Sequence, residues 1–171
     1  MMKRLKALWL VAGAAVAVAS GALAESAKND ASREAVMERL GRMVGGHWVS
    51  AQKMADGSPL ADLRFEWGPD HTSLRGAGKI AGMTVESRHA WDPAAKAVYY
   101  LDSHGPETVY FGHVRLEGEE IVTDFRGIVG DLTSYRSRAH FSDPETYRGS
   151  IAALKDGKEV PMHEVILRRE R

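Results

Sequence analysis

The stretch Ala61-Asp62-Leu63-Arg64-Phe65-Glu66-Trp67 alternates apolar and charged side chains residue by residue. A period of two places Leu63, Phe65 and Trp67 on one face of an extended chain and Asp62, Arg64 and Glu66 on the other, as in a strand with one buried and one wet face. The same reading holds further along. Met83, Val85, Ser87, His89 and Trp91 share a face opposite Thr84, Glu86 and Arg88. Tyr135, Ser137, Ala139 and Phe141 share one opposite Arg136, Arg138 and His140. Tyr99-Tyr100-Leu101 and Tyr110-Phe111 are aromatic or apolar on both faces, so periodicity leaves their direction open.

Turn signals separate these segments: Asp56-Gly57, Gly68-Pro69-Asp70, Gly82, Asp92-Pro93, Gly105-Pro106, Glu117-Gly118, Gly130-Asp131, Asp143-Pro144 and Asp156-Gly157. They recur roughly every dozen residues, which suits a strand of about seven to ten residues plus its corner. With no helical segment between strands, sequence neighbours pair antiparallel in up-and-down order. About ten strands in an open sheet would expose two long edges, and closure removes both. The expected fold is therefore an all-β, antiparallel up-and-down β-barrel of about ten strands.

Ahead of the first strand the period is helical, because Val36, Met37, Leu40, Met43 and Val44 recur at spacings of three and four. Asn29, Asp30 and Ser32 are candidate N-caps, and Gly45-Gly46 ends the pattern. The apolar stripe has no partner except the barrel, so this helix is expected to plug one end. Residues 25–45 form the N-terminal segment and helix, and residues 46–171 the barrel.

Met1 to Ala24 carries Lys3, Arg4 and Lys6, an apolar run from Ala7 to Ala19, and then Ala22-Leu23-Ala24. That is the layout of a secretory signal peptide, with cleavage expected before Glu25. The run is shorter than the ~20 residues that a spanning helix needs, so no stable membrane insertion is expected. Of the 23 basic residues three lie in this segment, which leaves 20 against 23 acidic ones, a net charge of −3. A chain so balanced lacks the basic excess that holds nucleic acid. No cysteine is present, which excludes disulfides, thiolate metal sites and a cysteine nucleophile. The expected location is the periplasm or the medium.

Gly46-His47-Trp48 opens the first strand directly after the helix, and Arg168-Arg169 closes the last. This pairing resembles the calycin signature. The resemblance implies that Gly46, Trp48 and one of Arg168 and Arg169 close the barrel, the guanidinium lying over the indole ring. Cation–π attraction and apolar area together make such a contact favourable. Leu40-Gly41-Arg42-Met43-Val44-Gly45-Gly46-His47-Trp48 and Trp91-Asp92-Pro93-Ala94-Ala95-Lys96 are similar to the patterns of bacterial lipocalin-like domains of unknown function. A weaker similarity, to nitrobindin-type barrels, rests on His163 within Val160-Pro161-Met162-His163-Glu164-Val165. It implies haem held by His163; otherwise no cofactor is expected.

Inward aromatic residues interspersed with small or polar positions such as Gly76, Ser87, Thr123 and Ser137 predict a lumen that is not wholly packed. The residues expected to contact a ligand there are Phe65, Trp67, Ser87, His89, Trp91, Phe125, Tyr135 and Phe141. His89 reads either as a polar anchor for a head group or as a core histidine satisfied by Ser87 or an opposite-strand hydroxyl. No metal-binding pattern occurs, and the carboxylates Asp102, Asp124, Glu119 and Glu120 have no spacing that forces a catalytic pair into the lumen. Three functions follow as expectations: a barrel that binds a small apolar or amphipathic molecule, a haem barrel, and a ligand-free barrel acting through its outer surface on an envelope partner.

Overall fold

The structure is a computed structural model that describes residues 32–69 and 71–170. The expected signal segment, and the candidate caps Asn29 and Asp30, lie outside the described residues. A helix, α1, covers residues 32–41. Ten strands follow: β1 (His47–Ser50), β2 (Ala61–Trp67), β3 (Ser73–Ile80), β4 (Met83–Asp92), β5 (Ala97–His104), β6 (Thr108–Glu117), β7 (Glu120–Val129), β8 (Ser134–Asp143), β9 (Thr146–Lys155) and β10 (Lys158–Glu170). Each strand pairs antiparallel with the next, and β1 pairs with β10 to close the barrel.

Tight corners make this order feasible. Ala81-Gly82 joins β3 to β4 with φ of 50° and 79°, and Asp156-Gly157 joins β9 to β10 with 51° and 74°. Two successive positive φ values are the mark of a type I′ turn, whose twist matches that of the flanking strands. Gly at the second position removes the clash that a side chain would meet there.

The apolar stripe of α1 is buried. Val36, Met37 and Leu40 pack with Leu74, Val98, Val114 and Ile121, which stand near one end of β3, β5, β6 and β7. The helix thus plugs the end that carries the β2–β3, β4–β5, β6–β7 and β8–β9 turns. Arg39 ties it to the β6–β7 turn, bonding the Glu119 carbonyl at 2.8 Å and its carboxylate at 2.7 Å.

Trp48 seals the same end from the side. Its ring is fully buried, its Nε1 donates to the Met43 carbonyl at 2.7 Å, and Phe141 meets it edge-on. The Arg169 guanidinium lies over the indole, 4.8 Å from the ring centroid, and also donates to the Arg42 carbonyl. A Cβ on Gly46 would fall 2.7 Å from Trp48 Nε1 and 2.8 Å from Arg169 Nε, so the stack requires glycine there. Of the two candidate arginines, Arg169 makes the contact. Arg168 lies one residue along the strand, on the opposite face, and is exposed.

Replacing Trp48 with Ala is expected to destabilise the protein by about 3–5 kcal/mol, the usual cost of deleting a large buried ring. In urea titrations, Arg169→Ala should be coupled to Trp48→Ala by about 0.5–3 kcal/mol, and Arg168→Ala should add independently.

Candidate functional site

Register assigns the faces that periodicity left open. Directly opposed residues in an antiparallel pair point to the same side. Val85 opposes His104, Ser87 opposes Asp102 and His89 opposes Tyr100. Tyr100, Asp102 and His104 therefore share the inward face of β4, and Tyr110 joins them opposite Asp102 on β6. Tyr99 and Leu101 take the outer face, where Leu101 is exposed.

The inward side chains surround a cavity of about 660 Å³. Leu40 and Met43 form its floor, and Met83, Met162 and His163 stand at its mouth, where all three are exposed. The lumen is therefore not filled by its own side chains. Of the residues expected to contact a ligand, Phe65, Ser87, His89, Phe125 and Tyr135 line the cavity. Trp67, Trp91 and Phe141 do not. Trp67 and Trp91 pack into the cluster around α1, and Phe141 sits against Trp48 and Tyr147. Alternation had assigned their direction correctly but not their height, and the plugged end of the barrel is occupied by the helix.

The walls differ in chemistry. On one side Leu63, Phe65, Ile80, Val165 and Leu167 from β2, β3 and β10 present only hydrocarbon. The other side, from β4 to β8, carries Ser87, His89, Asp102, His104, Thr123 and Ser137 among aromatic rings. Asp102 is buried, and its Oδ2 accepts a hydrogen bond from the Tyr100 hydroxyl at 2.6 Å and pairs with His104 Nε2 at 2.7 Å. Around it Tyr100 meets Phe125, Tyr110 meets Phe125 and Tyr135, and His104 meets Tyr110, with ring centroids 5.2–6.0 Å apart. Gly112 lies between Tyr100 and Phe125 in the register, and the two rings meet across the space that its missing side chain leaves.

These surroundings keep the polar side chains uncharged where they can be. Burial, and next the Asp102 charge, hold the Tyr100 phenol well above its ordinary range. Burial pushes Tyr147 up to about 12. Burial also lowers the His89 imidazole to about 4, Asp102 opposing the shift only in part. His89 is thus neutral at neutral pH, and its Nδ1 is buried without a hydrogen-bond partner. The expectation that Ser87 or an opposite-strand hydroxyl would satisfy it is not met at that nitrogen, and the hydroxyl of the opposed Tyr100 donates to Asp102 instead.

Asp102, Tyr100, His104 and Tyr110 were missed as site residues by sequence reasoning. No local pattern marks them, because Tyr99-Tyr100-Leu101 is aromatic or apolar on both faces and only the β4–β5 register brings Tyr100, Asp102 and His104 to the lumen.

His163, the residue expected to hold haem, is at the rim of the cavity. It lies exposed there, where the β9–β10 register shifts between Pro161 and His163. Among the described residues no group of three or more His, Cys, Asp or Glu could hold a metal ion. A scan against protein-family models gives no match, and neither does a search of curated proteins.

The depressed His89 pKa fixes a pH window. Above pH 6.5 the residue is neutral whether the chain is folded or not. Between 6.5 and about 4 the unfolded chain binds a proton that the native protein does not, so stability falls with pH and levels off below about 4. The full loss is about 3 kcal/mol. Carboxylates held below their ordinary values chiefly by hydrogen bonds, Glu117, Asp92 and Asp143 among them, add their own loss in the lower part of this window, so the His89 share is the difference between wild type and variant. Urea unfolding at several pH values should show His89→Gln flattening the profile between pH 6.5 and about 4. An unchanged slope would contradict the assignment.

Proposed function

We propose that this is an exported barrel that binds a small amphipathic molecule non-covalently in its lumen. The observation that carries this reading is the cavity itself: about 660 Å³, blind at the helix-plugged end, and divided into a hydrocarbon wall and a polar wall. A solid core would have no reason to leave such a volume, nor to bury an imidazole nitrogen without a partner. The apolar wall suits the ligand body and the polar wall its head group.

The mouth supports the same reading. Met83, Val129, Leu132, Val160 and Met162 are exposed large apolar side chains, all at the end of the barrel away from α1. They give a ligand with a hydrocarbon body an apolar approach. Export is supported by the signal-like layout of residues 1–24.

Native mass spectrometry of protein recovered from the periplasm is expected to show a retained molecule and give its mass. Nile red should bind the purified protein saturably. His89→Ala and Tyr135→Ala should change its affinity severalfold, as expected where a polar anchor discriminates between ligands. Glu86→Ala and Arg88→Ala, on the outer face of β4, should leave binding unchanged. Equal effects from both faces, or no saturable binding by the folded protein, would remove the lumen as the site.

A further inference from the structure

The charges around the cavity are unusual for a lumen that holds an amphipathic molecule. Among the described residues that line it there is no lysine and no arginine, and the carboxylates are Asp102, in the polar wall, and Glu164, at the mouth. A ligand ending in a carboxylate or phosphate would have to lodge its charge near Asp102, where the one neighbouring group that can carry positive charge, His104, is already paired with Asp102. In a site shielded from water, that like-charge contact is strongly unfavourable.

The opposite charge finds three kinds of partner. The carboxylate of Asp102 receives both of its hydrogen bonds on Oδ2, which leaves Oδ1 without a partner among the described residues. Tyr100, Tyr110, Phe125 and Tyr135 form a contiguous aromatic surface beside it, and ring faces attract cations. His89 Nδ1 is buried, has no partner, and lies two register pairs from Asp102, on the next inward-facing pair. In a neutral imidazole that nitrogen can accept a hydrogen bond from an N–H group.

We propose that the lumen selects an organic ammonium, its protonated amine set against Asp102, the aromatic surface and His89, and its hydrocarbon body along the wall of β2, β3 and β10. This rests on the lumenal reading above and specifies the class of molecule bound. Each element of the site has a part in the selection. Asp102 supplies the opposite charge, the rings exclude water while still favouring a cation, and His89 gains the hydrogen bond it lacks. With no lysine or arginine among the described lining residues, and His104 paired with Asp102, the cavity turns away the fatty acids that its shape would otherwise admit.

The test is displacement of Nile red from the mature protein by octylamine, octanol and octanoate, which share one hydrocarbon chain and differ in head group. Octylamine is expected to bind at least about ten-fold more tightly than octanol, and octanoate more weakly than either. Asp102→Asn should bring octylamine down to the octanol level while octanol affinity stays unchanged, which also shows that the variant is folded. Should Asp102→Asn fail to fold, Tyr110→Leu takes its place, and it should weaken octylamine more than octanol. Glu86→Gln, which removes an exposed outer carboxylate, should leave the preference intact and so exclude a general attraction to an acidic protein. Octanoate binding as tightly as octylamine, or an amine preference that persists in a folded Asp102→Asn, would overturn the proposal while the lumenal site stands. If Nile red and all three chains fail to bind, the lumenal reading falls and this one with it.

Discussion

Four register pairs join β1 to β10 and three join β1 to β2, whereas every other seam of the barrel has between six and ten. The backbone ladder is therefore weakest where the sheet closes on itself, and side chains must hold the seam. Trp48 does this by occupying four directions at once. Its ring is capped by Arg169, edged by Phe141, anchored through Nε1 to the Met43 carbonyl, and buried with Leu167 of the neighbouring strand. The Met43 bond matters most for the rest of the molecule. It joins the strand that closes the barrel to the residues just after α1, so the seam and the seat of the plug share one contact.

Seating the plug in turn shapes the lumen. Because Val36, Met37 and Leu40 occupy the end near Leu74, Val98 and Ile121, that end is dry and packed, and the cavity begins only above Leu40 and Met43. Any molecule entering from the mouth meets Met83 and Met162 before it reaches Asp102, which is buried. A barrel without the helix would be a tube open at both ends, and water could then reach the Asp102 network from either side. The helix lowers the local dielectric around that network and so strengthens every electrostatic preference within it.

Much of this was legible in the chain. Leu63, Phe65 and Trp67 reveal their face because the intervening residues are charged, and Asp156-Gly157 announces its turn because only certain residues tolerate positive φ at both positions. The stack of Arg169 on Trp48 was expected of one of two arginines, and alternation along β10 separates them. The polar wall was harder. On β5 the outward Tyr99 and Leu101 are as hydrophobic as the inward Val98 and Tyr100, so the period of two carries no contrast there. Only the pairing of His89 with Tyr100 settles the face, and pairing is a relation between distant residues that no local pattern contains. Height along the barrel is hidden for the same reason. Trp67 and Trp91 point inward as expected, yet they belong to the floor because the helix, a separate element, comes to rest on them.

The residues that keep the lumen open also weigh against the stability of the empty protein. Ser87, Thr123 and Ser137 stand at inward positions where larger aliphatic side chains would add buried apolar area. His89 goes further, since a buried polar atom without a hydrogen bond typically costs about 1–3 kcal/mol. The neighbouring groups do not relieve it, because the Tyr100 hydroxyl and His104 both turn to Asp102. Within the lumen the local rules are broken in one direction, toward a cavity with an unmet acceptor beside a carboxylate. Packing alone would correct each of these positions by a single substitution, whereas a ligand that donates a hydrogen bond to His89 and carries positive charge to Asp102 would account for all of them together.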